Sequence, residues 1–129
     1  MSRIVLIVDD SPQQAATLEI ALDSISGIQV AVSPSAEAAI GFLSSENGPH
    51  VCAVVTDLNM PGMDGCELIG HLRSQMSYRM LPIIALSGDT DPRARDRATS
   101  AGADAFFVKP CSPAAVRQTL EKLLNGSYR

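Results

Sequence analysis

Hydrophobic residues along the chain fall into five short, unbroken runs, separated by longer stretches in which they recur every three or four positions. The runs are rich in Val and Ile, with Gly, Pro, Asp or Ser close behind them: Ile4–Val8, Ile28–Val32, Val51–Val55, Ile83–Leu86 and Ala105–Val108. Continuous rather than alternating runs are typical of strands buried on both faces, as in a parallel sheet covered by helices on each side. The pattern therefore predicts five parallel strands.

The stretches between the runs have helical spacing. Apolar residues three and four positions apart form four sets: Leu18, Ala21, Leu22 and Ile25; Ala36, Ala39, Ile40 and Leu43; Ile69, Leu72 and Met76; Val116, Leu120, Leu123 and Leu124. An N-cap residue followed by proline at the first helical position indicates three helix starts, at Ser11–Pro12, Asp91–Pro92 and Ser112–Pro113. We expect Ser33 or Ser35 to start the second helix and Gly126 to end the last one.

The predicted order is a strand followed by a helix, five times over. Parallel strands joined by right-handed helical crossovers form an open, doubly wound α/β sheet. A closed barrel of eight such units needs about 250 residues, whereas this chain has 129. No linker or low-complexity stretch interrupts the pattern, so we expect residues 1–129 to form one α/β domain.

Composition and charge exclude several classes of protein. The apolar fraction of 46% is ordinary for a soluble domain, and the net charge of -4 argues against nucleic acid or an anionic membrane as the main partner. No apolar run approaches the roughly 20 residues of a membrane helix, and the first residues do not resemble a signal peptide. The cysteines, Cys52, Cys66 and Cys111, form no Cys-x-x-Cys pair. We therefore expect a cytoplasmic protein with free thiols, without a zinc or dithiol site.

Polar side chains follow four of the five predicted strands. Asp9 and Asp10 come after the first strand, Asp57 after the third, Ser87 after the fourth and Lys109 after the fifth. The carboxyl ends of parallel strands meet at one edge of an open sheet, where functional groups collect. We therefore expect three carboxylates, a hydroxyl and an ammonium at that edge.

These groups suit phosphoryl transfer. Three carboxylates packed together repel one another and need a compensating cation, and hard oxygen ligands without His or Cys favour Mg²⁺. A carboxylate beside Mg²⁺ can attack phosphorus, while the metal and Lys109 neutralise charge on the transferring oxygens and Ser87 donates to the bound group. Taken alone, Asp9–Asp10 or Asp57 could form a turn or a solvated loop, Ser87 is more often a loop residue, and a lysine at a strand end is usually solvated. Their joint occurrence at successive strand ends favours the functional interpretation.

Four sequence blocks resemble the receiver domain of bacterial two-component response regulators, over essentially the whole chain and in the manner of the single-domain chemotaxis regulators. The blocks are Val8–Ser11, Val55–Gly65, Ala85–Gly88 and Gly102–Pro110. The resemblance implies a flavodoxin-like fold with strand order 2-1-3-4-5. It also implies that Asp57 is the phosphoacceptor. Asp10 and Asp57 would bind Mg²⁺ through their carboxylates and Asn59 through its backbone carbonyl, with Asp9 acting mainly through water.

The same resemblance implies how the domain signals. Ser87 and Lys109 would contact the phosphoryl group, and the Lys109–Pro110 bond would be cis. The donor would be a phosphohistidine on a sensor histidine kinase or histidine phosphotransfer protein, with small phosphodonors as substitutes. Phosphorylation would turn Ser87 inward and change the rotamer of Phe106, which remodels the face formed by the fourth helix, fifth strand and fifth helix. That face is also a candidate for a phosphorylation-dependent homodimer.

Two of these positions depart from the commonest pattern of the family. Ser87 stands where Thr is more frequent, which keeps the hydroxyl and loses only a methyl group. Phe106 stands where many members have Tyr, so it has no hydroxyl with which to bond to the fourth helix.

The predicted fourth helix has three closely spaced arginines, Arg93, Arg95 and Arg97. One interpretation is a solvated face partly balanced by Asp91 and Asp96. The other is a docking surface for a partner protein, since the family signals through this region.

Three alternatives compete with a phosphorylated receiver. A phosphatase or phosphotransferase of the haloacid dehalogenase class requires a second Asp two residues after the nucleophile, where this chain has Asn59. A receiver-like module that signals without phosphorylation would not need its acids, Ser87 and Lys109. A receiver excised from a hybrid kinase or a longer regulator has the same sequence features as a free domain. We expect no enzymatic activity beyond the domain's own phosphorylation and autodephosphorylation, the second of which Asn59 and Asp89 would influence.

Overall fold

The computed structural model describes residues 3–88 and 92–125, in which strands and helices alternate along the chain. The elements are β1 (Arg3–Val8), α1 (Pro12–Asp23), β2 (Ile28–Ser33), α2 (Ala36–Ser44), β3 (Val51–Asp57), α3 (Gly65–Arg73), β4 (Ile83–Ser87), α4 (Arg93–Ala101), β5 (Ala105–Val108) and α5 (Pro113–Leu124). Two short 3₁₀ helices, Gly48–His50 and Met76–Tyr78, precede β3 and β4. No helix in the described ranges has the length and apolar content to cross a bilayer.

The five strands form one parallel sheet in the order β2-β1-β3-β4-β5, which confirms the predicted topology. Side chains of successive residues point to opposite faces of the sheet. Leu6 of β1 therefore packs in a cluster with α2, α3 and α4, whereas Val5 and Ile7 pack in a second cluster with α1 and α5. The two clusters hold the sheet between two layers of helices and fix the positions of the strand ends.

The prediction that every strand is buried on both faces is correct for the three central strands and wrong for the edge strands. All five residues of β4 are buried, but none of the four in β5 is fully buried, and β2 has only its first and last residues buried. Val32 and Val108 are 42% and 46% exposed. An edge strand has a neighbour on one side only, so the helices cover it less completely.

Serine N-caps start three of the helices as the sequence predicts. The hydroxyls of Ser11, Ser35 and Ser112 accept hydrogen bonds from backbone N–H groups in the first turns of α1, α2 and α5. Of the two candidates for the start of α2, Ser35 is the cap, because Ser33 is the last residue of β2.

Other helix boundaries differ from the prediction. Asp91 and Gly126 lie outside the described residues, and α4 begins one residue later than expected, after Pro92. Ile25 lies beyond the end of α1, and Met76 lies beyond α3 and is 83% exposed. The helical spacing of apolar residues therefore continues beyond the last residues of α1 and α3, and the sequence predicted both helices to be longer than they are.

Arg73 ties the end of α3 to the segments that lead into β4 and β5. Its Nε and Nη2 donate to the carbonyl oxygen of Gly102 at 3.0 and 2.8 Å, and its Nη1 donates to the carbonyl oxygens of Tyr78 and Arg79 at 2.9 and 3.1 Å. Nη2 also pairs with Asp104 Oδ2 at 3.0 Å. One side chain thus satisfies three backbone carbonyls and a carboxylate.

Replacing Arg73 with Met should lower the free energy of unfolding by about 2–4 kcal/mol, because the carbonyls and the carboxylate lose their donor while the hydrophobic stem is kept. Urea denaturation followed by circular dichroism measures the change. Arg79→Met is the matched control, because the Arg79 side chain is exposed and only its backbone carbonyl joins the network. Equal stability of the two variants would contradict this role for Arg73.

Candidate functional site

The polar groups predicted at four strand ends lie at one edge of the sheet. Asp9 directly follows β1, and Lys109 directly follows β5. Asp57 and Ser87 are themselves the last residues of β3 and β4, so these strands are longer than the apolar runs suggest. In β3 the pairing with the neighbouring strands continues through Thr56 and Asp57, and the fully buried Thr56 hydroxyl donates to the carbonyl oxygen of Asp57 at 2.9 Å. A polar residue there continues the strand.

Three carboxylates come together at this edge. Asp9, Asp10 and Asp57 each place one oxygen within 4.8 Å of the others, and no other group of three or more potential metal ligands occurs in the described part of the chain. Asp9 and Asp57 are 5% and 6% exposed, whereas Asp10 is open to solvent. The cluster is made of hard oxygen donors, the chemistry that Mg²⁺ prefers.

The ammonium of Lys109 partly neutralises the cluster. Its Nζ lies 3.2 Å from Asp9 Oδ2 and 3.3 Å from Asp57 Oδ2. One positive charge therefore serves two buried carboxylates, with the third carboxylate beside them. When all four groups are ionised, the cluster keeps an excess of negative charge, which favours binding of a cation.

The pKa of the Asp57 carboxyl group is raised above its ordinary value. Burial raises the pKa of its carboxyl group, and the charge of Asp9 raises it further. The backbone N–H of Asn59, which donates to Asp57 Oδ1 at 3.1 Å, and the ammonium of Lys109 act in the opposite direction and lower the pKa. The net shift is upward, so the ionised carboxylate lacks the stabilisation that it would have in water.

Asn59, in the loop after β3, and Ser87, the last residue of β4, join the site. Ser87 is fully buried, and its Oγ donates to Asn59 Oδ1 at 2.9 Å. The backbone of Asn59 is held at the same time by its hydrogen bond to Asp57. The residue two positions after Asp57 therefore connects that carboxylate with the hydroxyl at the end of β4.

The Lys109–Pro110 peptide bond is cis, the isomer that the resemblance implies. The backbone N–H of Lys109 donates to the carbonyl oxygen of Ser87 at 2.8 Å. This hydrogen bond continues the β4–β5 pairing beyond Val108. It fixes the position of the Lys109 backbone, from which the side chain extends to the carboxylates.

Sequence reasoning missed two residues that contact the site. Gln14 of α1 accepts a hydrogen bond from Lys109 Nζ through Oε1. Glu37 of α2 accepts one from the backbone N–H of Met63 at 3.3 Å and so tethers the loop after β3. A signal for Gln14 was present, because it lies in the first turn of the helix that follows the acidic pair. Glu37 had no comparable signal, since its partner is in a distant loop.

The three arginines of α4 do not share one face. The guanidinium of Arg95 lies 5.0 Å from the ring centroid of Phe106 on β5. Arg93 and Arg97 instead line a groove beside Cys66 of α3. Residues two apart on a helix point in nearly opposite directions, whereas residues four apart share a side. A docking surface that used all three arginines would therefore extend over both the β5 side and the α3 side of the helix.

Comparison with known proteins gives the family. Residues 5–121 match the model of the response regulator receiver domain. The chain belongs to this family. The match covers all of the elements described above except the ends of β1 and α5, and it confirms the interpretation of the four sequence blocks. A haloacid dehalogenase phosphatase is thereby set aside.

Relatives and solved structures agree with this assignment. The receiver domain is 32% identical over 120 residues to the two-component response regulator ORR11 of Oryza sativa, which covers 93% of this chain and 80% of that protein. It is similar in structure to the receiver domain of a signal transduction histidine kinase from Syntrophus aciditrophicus (TM-score 0.86, 34% identity, 99% and 94% of the two chains). It is also similar to the chemotaxis protein CheY4 of Vibrio cholerae (TM-score 0.80, 27% identity, 95% and 99%).

The family settles the class of function. The protein is a receiver domain of two-component signalling, as the sequence predicted, and its acidic cluster is consistent with a phosphoacceptor role. Response regulators receive their phosphoryl group from histidine kinases or phosphotransfer proteins. Receiver domains are signalling proteins.

Replacing Asp57 with Asn should stabilise the metal-free receiver domain at neutral pH. A carboxyl group with a raised pKa binds its proton more tightly in the folded state, so its ionised form costs stability above the folded pKa, and the cost disappears below the unfolded pKa. Thermal unfolding in metal-free buffer should show a higher midpoint for Asp57→Asn at pH 7, with the difference narrowing toward about pH 4.

The control for this measurement is Asp23→Asn, which alters an exposed carboxylate at the end of α1. Its midpoint should follow that of the wild type across the pH range. If Asp57→Asn melted at or below the wild-type temperature at pH 7, the argument that the buried carboxylate is destabilising would be wrong.

Proposed function

We propose that this receiver domain accepts a phosphoryl group on Asp57, with Mg²⁺ bound at the adjoining carboxylates. The observation that carries the proposal is the shared ammonium: Lys109 lies within 3.3 Å of oxygens from both Asp9 and Asp57. A purely structural ion pair needs one acid for one base. Here three carboxylates share one lysine at the strand ends of a parallel sheet. The excess negative charge can bind a cation, and the ammonium can contact the phosphoryl group as it is transferred.

The donor set fits Mg²⁺. Asp10 and Asp57 would hold the ion through carboxylate oxygens, the backbone carbonyl of Asn59 would add a third protein oxygen, and Asp9 would act mainly through water. Mg²⁺ keeps several waters and takes few carboxylates, so a cluster with one exposed acid suits it. When bound, the ion neutralises charge on the phosphoryl oxygens and screens the approach of an anionic donor to the acids.

The chemical step requires one nucleophile and one leaving group. A carboxylate oxygen of Asp57 attacks the phosphorus of a phosphohistidine, an oxygen–phosphorus bond forms, and the phosphorus–nitrogen bond breaks with its electron pair returning to the imidazole. With acetyl phosphate, a phosphorus–oxygen bond breaks instead and acetate leaves. Lys109 contributes positive charge beside the transferred oxygens without donating a proton to them.

Ser87 and Phe106 would carry the signal away from the site. In the unphosphorylated domain the Ser87 hydroxyl donates to Asn59 Oδ1. A phosphoryl oxygen on Asp57 is a stronger acceptor because it is charged, so Ser87 transfers its hydrogen bond to it. The movement alters the end of β4, where Ser87 pairs with Val108 of β5, two residues after Phe106, whose ring Arg95 covers. The α4–β5–α5 face is therefore the output surface, for a protein target or for a second copy of the domain.

The donor in the cell would be a sensor histidine kinase or histidine phosphotransfer protein in the cytoplasm, with residues 1–129 acting as one receiver unit. Catalysis would be limited to the domain's own phosphoryl transfer and autodephosphorylation. Autodephosphorylation requires a water molecule to attack the phosphoryl group on Asp57. The side chain of Asn59 is exposed beside Asp57 and so lies where it can influence that water. Asp89, the other residue expected to influence that water, lies outside the described residues.

Incubation with acetyl phosphate and Mg²⁺ should add one phosphoryl group, measured by intact-protein mass spectrometry. Asp57→Asn should take up none, because it lacks the nucleophile, and excess EDTA should abolish the reaction of the wild type. Asp23→Asn, which removes an exposed carboxylate away from the site, should be phosphorylated like the wild type.

Two results would reject the proposal. Phosphorylation of Asp57→Asn would place the nucleophile elsewhere. Failure of the wild type with acetyl phosphate and with a phosphohistidine donor, under conditions in which Mg²⁺ is bound, would favour a receiver that signals without phosphorylation.

A further inference from the structure

The ammonium of Lys109 has a third partner that the proposed reaction does not use. Besides Asp9 and Asp57, it donates to Oε1 of Gln14, an exposed residue in the first turn of α1. An ammonium has three N–H groups. In this structure one of them donates to the buried carboxylate of Asp9 and one to the neutral amide of Gln14 on the solvent side, while Asp57 Oδ2 lies 3.3 Å from the nitrogen.

Gln14 also lies between two clefts. On one side is the cleft of the acidic cluster, where it is joined by Asp10 and Asp57. On the other is a mostly apolar cleft between α1 and the segment after β5, lined by Leu18 and Pro113. Lys109 borders both clefts as well. The Gln14–Lys109 contact thus forms the boundary between them, and it holds the ammonium where the acidic cleft meets solvent.

Lys109 and a metal ion draw on the negative charge of the same carboxylates. The ammonium contacts Oδ2 of both Asp9 and Asp57, two of the three carboxylates that a cation would use. The more closely the ammonium pairs with them, the less negative charge remains for the ion. An acceptor outside the cluster draws the ammonium away from the acids and keeps them available.

We infer that Gln14 is a positioning residue that sets the affinity of the acidic cluster for Mg²⁺ by sharing the ammonium of Lys109. The inference rests on the proposed metal site and assigns a role to a residue outside it. Removing the amide acceptor leaves Asp9 and Asp57 as the partners of the ammonium and weakens Mg²⁺ binding. Replacing the amide with a carboxylate pulls the ammonium further outward and strengthens it.

Isothermal titration calorimetry with MgCl₂, without any phosphodonor, measures the effect directly. Gln14→Leu should bind Mg²⁺ about three- to tenfold more weakly than the wild type, somewhat less than the loss typical when a direct partner of a metal ligand is removed. Gln14→Glu should bind it more tightly by a similar factor. Gln13 supplies matched controls, since it is the exposed neighbouring glutamine on α1, and its side chain makes no hydrogen bond with Lys109. Gln13→Leu should bind Mg²⁺ as the wild type does, and Gln13→Glu should tighten binding less than Gln14→Glu.

A double-mutant cycle separates positioning from a local structural effect. If Gln14 acts through the ammonium, Gln14→Leu has no effect on Mg²⁺ affinity when Lys109 is replaced with Met, because no ammonium remains to be shared. Thermal melts of each variant check that the fold is intact.

The outcomes are distinct from those that test phosphorylation. Wild-type Mg²⁺ binding with Gln14 variants that match their Gln13 counterparts overturns this inference alone and leaves the phosphoacceptor proposal standing. An undiminished effect of Gln14→Leu in the Lys109→Met background also overturns it. Absence of Mg²⁺ binding in the wild type overturns both proposals.

Discussion

The ammonium of Lys109 must reach two carboxylates that belong to other strands, and the arrangement of the sheet follows from this requirement. β1 and β3 are neighbours, so Asp9 and Asp57 lie side by side. β5 is two places away from β3, with β4 between them. Only a long side chain at the end of β5 can cross the end of β4 to the acids. A different strand order would leave the buried carboxylates without a counter-charge, at a cost of several kcal/mol each.

The residue at the end of β4 occupies the space beneath this crossing. Ser87 is small and fully buried, and its hydroxyl is directed to Asn59 rather than to the lysine. The site therefore contains two sets of contacts: the ion pairs of Lys109 with Asp9 and Asp57, and the neutral hydrogen bond from Ser87 of β4 to Asn59 in the loop after β3. A charged group added to Asp57 perturbs both sets at once. This coupling gives a covalent change at one carboxylate a route to Phe106 and the surface of β5.

The sequence predicted the central fold and the acidic cluster well, because both depend on residues at fixed places relative to the strands. A buried parallel strand is a continuous apolar run, and a polar residue after it can only lie at the carboxyl edge. The edge strands were less predictable, since Val32 and Val108 are apolar but half covered. The end of α3 was missed because Met76 keeps the apolar period after the helix has stopped.

The contacts that could not be predicted depend on side chains meeting across the fold. The position of Gln14 just after the acidic pair could have placed it near the site, but Gln14 and Lys109 are far apart in sequence and nothing identifies one as the partner of the other. The same holds for Glu37 and the loop at Met63. The division of the α4 arginines is different, because helical geometry alone separates Arg95 from its neighbours two positions away.

The hydrogen-bond network of Arg73 lies at the opposite end of the sheet from the acids. Asp104, which pairs with Arg73, also accepts from the backbone N–H of Ile83 at 2.8 Å, and both residues stand at the amino ends of their strands. Residues that stabilise the docking of α3 are thus separated from residues that perform the chemistry by the length of β4 and β5. Inherited substitutions near Arg73 can therefore change the stability of the protein, and with it the lifetime of the protein in the cell. The signalling reaction changes through a separate set of residues, those at the carboxyl ends of the strands.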